Sequence, residues 1–281
     1  ADEATAAVPT TSTETVTEPV HEGQTVDMQI LSTTDLHTNL VNYDYHQDKP
    51  SQTVGLSKTA VLIKKARETN PNTVLVDSGD TIQGTPFGTY KALIDPVAQG
   101  ETHPMYKAFE MLGYDAETLG NHEFNYGLEY LREAIASYNH PILCSNILTK
   151  DGKPAFGEPY KVFEKDGVKI AVLGITTPYI PNWEQPATVK DLVFVSALET
   201  AKKYVPEMRK VADVVVVTYH GGFECDLSCG DPTELLTGEN EGYAIATQVE
   251  GIDALVTGHQ HRVIAQKVNG VPVIQPGYRG A

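Results

Sequence analysis

Cysteine is scarce in this chain: there are three in 281 residues, Cys144, Cys225 and Cys229. That is too few for a fold held by disulfides. Cys225 and Cys229 are close enough in sequence to bridge, and spacing alone is equally compatible with two unpaired thiols. So low a usage fits either the cytosol or a bacterial surface. Basic residues are also few, 21 Lys and Arg against 37 Asp and Glu, for a net charge of -16. That argues against a basic face that holds polymeric nucleic acid by neutralising its phosphates. It does not argue against a small phosphate ester, because bound metal ions invert the local field. No apolar run reaches transmembrane length. The opening stretch, ADEATAAVPTTSTETVTEPVHEGQTV, has neither the basic nor the apolar segment of a signal peptide. No internal repeat is present, and nothing in the composition sets an oligomeric state.

What is there begins after that stretch. Residues 1–26 are Thr-rich and acidic, with no Lys or Arg, and read as a disordered linker. Such a spacer commonly follows a removed secretion signal, so the expected location is extracellular or cell-surface. Residues 27–281 form one domain in which strand and helix patterns alternate, the sign of a layered α/β fold. Helical spacing runs through GLSKTAVLIKKARETN, HPMYKAFEMLGYD (closed by Gly113) and SALETAKKYVPEMRKVA, where Pro206 predicts a kink. YKVFEKDGVKIAVLGIT reads as a hairpin turning at Asp166-Gly167. DMQILSTTD, NTVLVDSGD, AETLGNHE, PILCSNI, DVVVVTYHGG, IDALVTGHQH and GVPVIQPG read as further strands.

Five of these apolar strands end in Asp, Asn or His: ILSTTDLH, TVLVDSGD, AETLGNH, VVVVTYH and ALVTGHQH. Ligands of open α/β sheets bind beyond the carboxyl ends of the strands. Singly, each signal is weak. Asp35-x-His37 occurs freely in loops, Asp80 is an ordinary turn residue, and Asn121, His220, His259 and His261 each have a structural reading. Together they give two carboxylates, one amide and four imidazoles at one sheet edge. Mixed N/O donors suit Zn, Mn or Fe, and the missing thiolate argues against a structural zinc site. The count exceeds one tetrahedral ion and fits two ions with open positions. Two ions about 3.5–4 Å apart clamp the attacking and leaving oxygens of an in-line displacement.

In this order DLH, GD, GNHE, the His after an apolar strand, and GHQH resemble the signature of calcineurin-like metallophosphoesterases, with matches spanning residues 28–281. Within that superfamily the chain is similar to the 5′-nucleotidase group. It is most similar to the 2′,3′-cyclic-nucleotide 2′-phosphodiesterase/3′-nucleotidase branch, through DLHTNLVNYDYHQDKP, GLSKTAVLI, HPMYKAFEMLGYD and GNHEFNYGLEYL. The resemblance implies an α/β/β/α sandwich with the metal site at strand carboxyl ends. It implies one ion on Asp35, His37 and His261, a second on Asn121, His220 and His259, and Asp80 bridging both. It implies that His122 stays off the metal, faces the substrate phosphate and assists the leaving oxygen. Water activated by the two divalent ions (Mn, Zn or Fe) would attack phosphorus directly. The 2′ oxygen of a cyclic nucleotide would leave, and the resulting 3′-nucleotide would then lose its phosphate.

The pattern departs from the family in two places. The family pairs this His with an Asp three residues on, and here that position is Asn125, which orients the ring without a carboxylate's charge. Family members also carry a C-terminal domain that sandwiches the base. The sequence stops at QPGYRGA before it, so a fragment with weak nucleotide affinity is expected. Tyr43, Tyr45, Tyr126 and Trp183 are candidates for the cleft rim, with core packing the commoner role for each. Glu123 is read as a supporting residue. The competing readings are a 5′-nucleotidase or nucleotide-sugar hydrolase, a surface binding or adhesion protein on a phosphoesterase scaffold, and a mononuclear zinc hydrolase.

Overall fold

Strands apolar on both faces need cover on both sides. Thr73–Asp77 is buried at every position, and Val168–Thr176 is buried from Ile170 onward. The computed structural model, which describes residues 23–281, provides that cover by stacking two sheets. The first sheet is parallel throughout, in the order Gln29–Thr33, Thr73–Asp77, Ala116–Thr118, Ile142–Leu143. The second runs Val263–Val268, Val271–Pro276, Ala254–Thr257, Val214–His220, Val168–Thr176, Tyr160–Lys165. Its inner four strands are parallel and its two edge strands antiparallel. Val74, Val76, Ala116 and Leu143 of the first sheet meet Ile170, Val172, Val216 and Val256 of the second in a dry seam.

Helices cover the outer faces. Leu56–Thr69, Pro104–Leu112 and Leu128–Ala136 bury Ile63, Phe109 and Leu131 against the first sheet. Ala197–Arg209 and Gly242–Gln248 bury Val205 and Ile245 against the second. The architecture is the α/β/β/α sandwich expected from the sequence. Local chemistry sets the helix limits: Pro104 opens a first turn whose free N–H at Met105 is accepted by His103, and Gly113 closes it at φ 69°.

Other expectations are refined. The hairpin turns at Asp166 and Gly167, both at positive φ. Ala197–Arg209 is an unbroken helix through Pro206. The strand expected over AETLGNHE ends at Thr118, and Asn121–Phe124 is a single tight turn of 3-10 helix. The helix Pro86–Leu93 and the strand Val263–Val268 were not anticipated. All three thiols are free. Most of the linker expected over residues 1–26 lies outside the described residues. Among the described residues, no helix is long and apolar enough to cross a membrane.

Below the strand ends lies a buried acidic pair, Asp77 and Glu117. Asp77 accepts from the Thr33 hydroxyl at 2.6 Å and from the Gly79 N–H at 2.8 Å. Burial pushes its carboxyl up to about 7, with the Glu123 charge adding to the rise. A carboxyl whose folded pKa lies above its unfolded value contributes stability below the unfolded pKa and loses it as pH rises through the folded one. Asp77→Asn, which keeps the shape and removes the ionisation, should therefore gain on the wild type as pH rises from 4 to 7. Urea midpoints of metal-stripped protein across that range measure it, and parallel pH curves for the two proteins would show that Asp77 ionises freely in the fold.

Candidate metal centre

Each strand end named above delivers its polar residues to one side of the sandwich. Asp35, His37, Asp80, His259 and His261 all sit at positive φ, between 47° and 72°. Asp and His tolerate that left-handed region better than most side chains, and such residues cluster at functional sites. The backbone there is turned so that side chains from different strands converge. Gly258 and Gly120 permit close approaches to the donor residues: a Cβ on Gly258 would lie 2.1 Å from the Thr34 hydroxyl, and one on Gly120 would lie 2.2 Å from Asp80 Oδ1. Gly258 thus serves proximity, while the turn itself is made by His259 and His261.

Two donor groups result, Asp35 with His37 and His261, and Asp80 with His220 and His259. Asp35 Oδ2 is held by the Thr34 hydroxyl and the His259 N–H, whereas Oδ1 is buried with no hydrogen-bond donor. Oδ1 lies 3.2 Å from His261 Nε2 and 3.6 Å from His37 Nε2. Asp80 Oδ1 accepts from the His122 N–H at 2.8 Å. That leaves Oδ2, 3.2 Å from His220 Nε2 and 3.6 Å from His37 Nε2, facing both groups. Asn121 Oδ1 lies 3.0 Å from His220 Nε2 and so joins the second group. All seven residues singled out from the sequence meet here.

The imidazoles are aimed by their other nitrogens. His37 Nδ1 donates to the Gln83 carbonyl at 2.9 Å and His220 Nδ1 to the Ser78 carbonyl at 2.7 Å, leaving both Nε2 atoms inward. His259 is reversed: its Nε2 faces Glu239 Oε1 at 2.8 Å, which leaves Nδ1 for the centre. Histidines that hold metals are oriented in this manner by a carbonyl or carboxylate on the far nitrogen. His122 belongs to neither group. Its ring lies edge-on to His37 at 5.3 Å, and its Nδ1 is 2.6 Å from Asn125 Oδ1.

The structure gives the supporting residue Glu123 its role and adds contributors that were invisible in the sequence. Glu123, fully buried, accepts the N–H groups of Asp80, Thr81, Ile82 and Gly120, and so ties two strand-end loops together. Glu239 and Glu184 arrive from loops remote in sequence. Tyr278 stacks on His261 at 4.5 Å. Trp183, 44% exposed, stands 5.5 Å from the His259 ring, whereas Tyr126 packs against Tyr130 and Tyr43 against Tyr45. Of the four aromatic candidates, Trp183 is the one in contact with a residue of the donor groups.

A sandwich whose strand ends bring paired Asp/His/Asn clusters to one edge is the architecture of metal-dependent phosphoesterases. The sequence profile of the calcineurin-like phosphoesterases matches residues 28–263, and the chain belongs to that family. It is 39% identical over 92% of its length to the 2′,3′-cyclic-nucleotide 2′-phosphodiesterase/3′-nucleotidase of Yersinia enterocolitica, of which it covers 42%. It is 41% identical over 91% of its length to the Salmonella typhimurium protein of that name, again covering 42%. Among solved structures, a putative 5′-nucleotidase from Staphylococcus aureus aligns at 40% identity and TM-score 0.83 over 89% of this chain and 48% of the other. The calcineurin-like phosphoesterase YfkN from Bacillus subtilis aligns at 36% and 0.81 over 90% of this chain and 82% of the other. The chain thus spans less than half the length of these two curated relatives.

The donor set fits the divalent ions that this family uses. Burial alone would lower the pKa of His37, but the facing carboxylates of Asp35 and Asp80, each 3.6 Å from its Nε2, outweigh burial and raise it to about 9. His220 rises to about 10 on the same balance, against Asp80 and Asp35. In the metal-free protein both imidazoles therefore hold protons at neutral pH, and a cation must displace them. Metal uptake should release protons, and apparent affinity should climb as pH rises toward 9. Calorimetry in buffers of different ionisation enthalpy reads this directly, and buffer-independent heats would contradict it.

Proposed function

We propose that this chain is the metal-binding part of an enzyme that hydrolyses nucleotide phosphoesters. It opens 2′,3′-cyclic nucleotides to 3′-nucleotides and then removes the 3′ phosphate. The observation that carries the reading is the single free oxygen of Asp80, facing both donor groups, with an imidazole outside both groups standing beside it. The names of the relatives support the substrate class.

In this reading Asp35, His37 and His261 would hold one divalent ion and Asn121, His220 and His259 the other, with Asp80 Oδ2 placed to serve both. When bound, the ions neutralise charge on the phosphoryl oxygens and lower the pKa of water. His122, half-buried beside the pair, faces the phosphate and carries the proton that the departing 2′ oxygen takes up. Asn125 holds that ring by its Nδ1. Mn, Zn and Fe all suit such N/O donors. A location outside the cell is part of the proposal and rests on the acidic, Thr-rich composition of residues 1–26.

His122→Ala should keep its metal content and lose roughly 10²- to 10⁴-fold in turnover of bis(p-nitrophenyl) phosphate. A variant stripped of its metals would make His122 a ligand instead. Asp80→Ala should lose metal along with activity, as elemental analysis of the purified protein would show. Product analysis separates the specificities: 3′-AMP from 2′,3′-cyclic AMP supports the reading, and faster release of phosphate from 5′-AMP than from either would favour a 5′-nucleotidase.

A further inference from the structure

We propose that Glu184 is a positioning residue that sets the tautomer of His122 by fixing which way the Asn125 amide points. The inference rests on the proposed function only for the part His122 plays in turnover. An ionised carboxylate accepts hydrogen bonds and donates none. Glu184 Oε1 meets Asn125 Nδ2, so the amide is turned with its nitrogen toward Glu184 and its oxygen toward the imidazole. An amide oxygen only accepts, so the hydrogen on the facing ring nitrogen must be at Nδ1 of His122. Nε2 is then the nitrogen left to face the phosphate, free to take up from solvent the proton that it passes to the departing 2′ oxygen.

The need for such an orienter follows from the residue at position 125. A carboxylate accepts from an imidazole whichever way it turns. An amide does so in one of two orientations nearly equal in shape, and the other presents its NH2 group to Nδ1 and demands the opposite tautomer. The segment that carries Glu184 is well placed to prevent this. Ile180 is fully buried, and its carbonyl accepts the N–H groups of both Trp183 and Glu184. Trp183 packs edge-on to Tyr179 at 5.0 Å and leans on the His259 ring. One anchored turn thus reaches the second donor group through His259 and the His122 pair through Asn125.

Glu184→Ala should lower kcat on bis(p-nitrophenyl) phosphate roughly tenfold, with KM and metal content unchanged, because misorientation rather than binding is at stake. Glu184→Gln should restore the rate only in part, since its amide oxygen still accepts from Asn125 but its NH2 group also admits the reverse orientation. In an Asn125→Asp background, Glu184→Ala should cost nothing, which is the non-additivity expected of groups acting through one another. Nitrogen-15 spectra of histidine-labelled, zinc-loaded protein supply the readout independent of turnover. They should show His122 with its hydrogen on Nδ1 in the wild type and a mixture of tautomers in Glu184→Ala. Equal losses in both backgrounds, or an unchanged tautomer in Glu184→Ala, would overturn the inference. Wild-type turnover by His122→Ala would instead overturn the role given to His122, and the spectra would still decide the tautomer.

Discussion

The carboxylate of Glu123 gathers the backbone N–H groups of Asp80, Thr81, Ile82 and Gly120, and the rest of the centre depends on that grip. The loop after Thr73–Asp77 and the loop after Ala116–Thr118 have no ladder of their own at this point. Four buried donors left unmet would cost several kcal/mol at about 1–3 kcal/mol each. With them satisfied, the backbone of residues 120–122 is held against Asp80, and the His122 N–H takes up Asp80 Oδ1. Only Oδ2 is then free, and it points where both donor groups need it. Burial and the neighbouring Asp80 push the Glu123 carboxyl up, while the N–H donors pull it back toward the ionised form that binds them best.

A second layer of acidic residues repeats the device at lower cost. Glu239 receives His259 Nε2, and Glu184 receives the Asn125 amide. Each fixes the direction of a group that would otherwise have two equivalent settings, an imidazole with two nitrogens and an amide with two ends. Orientation of this kind adds little to stability and much to preorganisation, because the groups it sets do not have to find their direction when substrate arrives.

How much of this was legible in the sequence divides along physical lines. Asp35, His37, Asp80, Asn121, His220, His259 and His261 stand out because apolar strands leave no packing reason for polar residues at their ends, and all seven converge. The alternation of strands and helices gave the layers, and turn chemistry at Asp166-Gly167 and Gly113 gave two boundaries. Glu184 and Glu239 were opaque because their partners are other loops, and Glu123 was legible only as a supporting residue, without its four N–H partners. Glu239 meets a residue 20 positions away, and Glu184 one 59 positions away. The helix Pro86–Leu93 escaped notice because FGTYKAL carries a Gly and β-branched Thr and shows no clear apolar stripe. The strand Val263–Val268 is an edge with only Ile264 and Val268 buried, so its alternation is incomplete.

Each donor group takes members from both sheets. Asp35 follows a strand of the first and His261 a strand of the second; Asp80 follows the first and His220 ends a strand of the second. The centre is therefore built across the seam where Val74, Val76, Ala116 and Leu143 meet Ile170, Val172, Val216 and Val256. A cation bound there would act as a rivet between two plates. The gap it spans is set by the bulk of valines, alanine, leucine and isoleucine that never approach it, so drift in those apolar residues reaches the chemistry as a change in the span between ligands rather than as a change in any ligand.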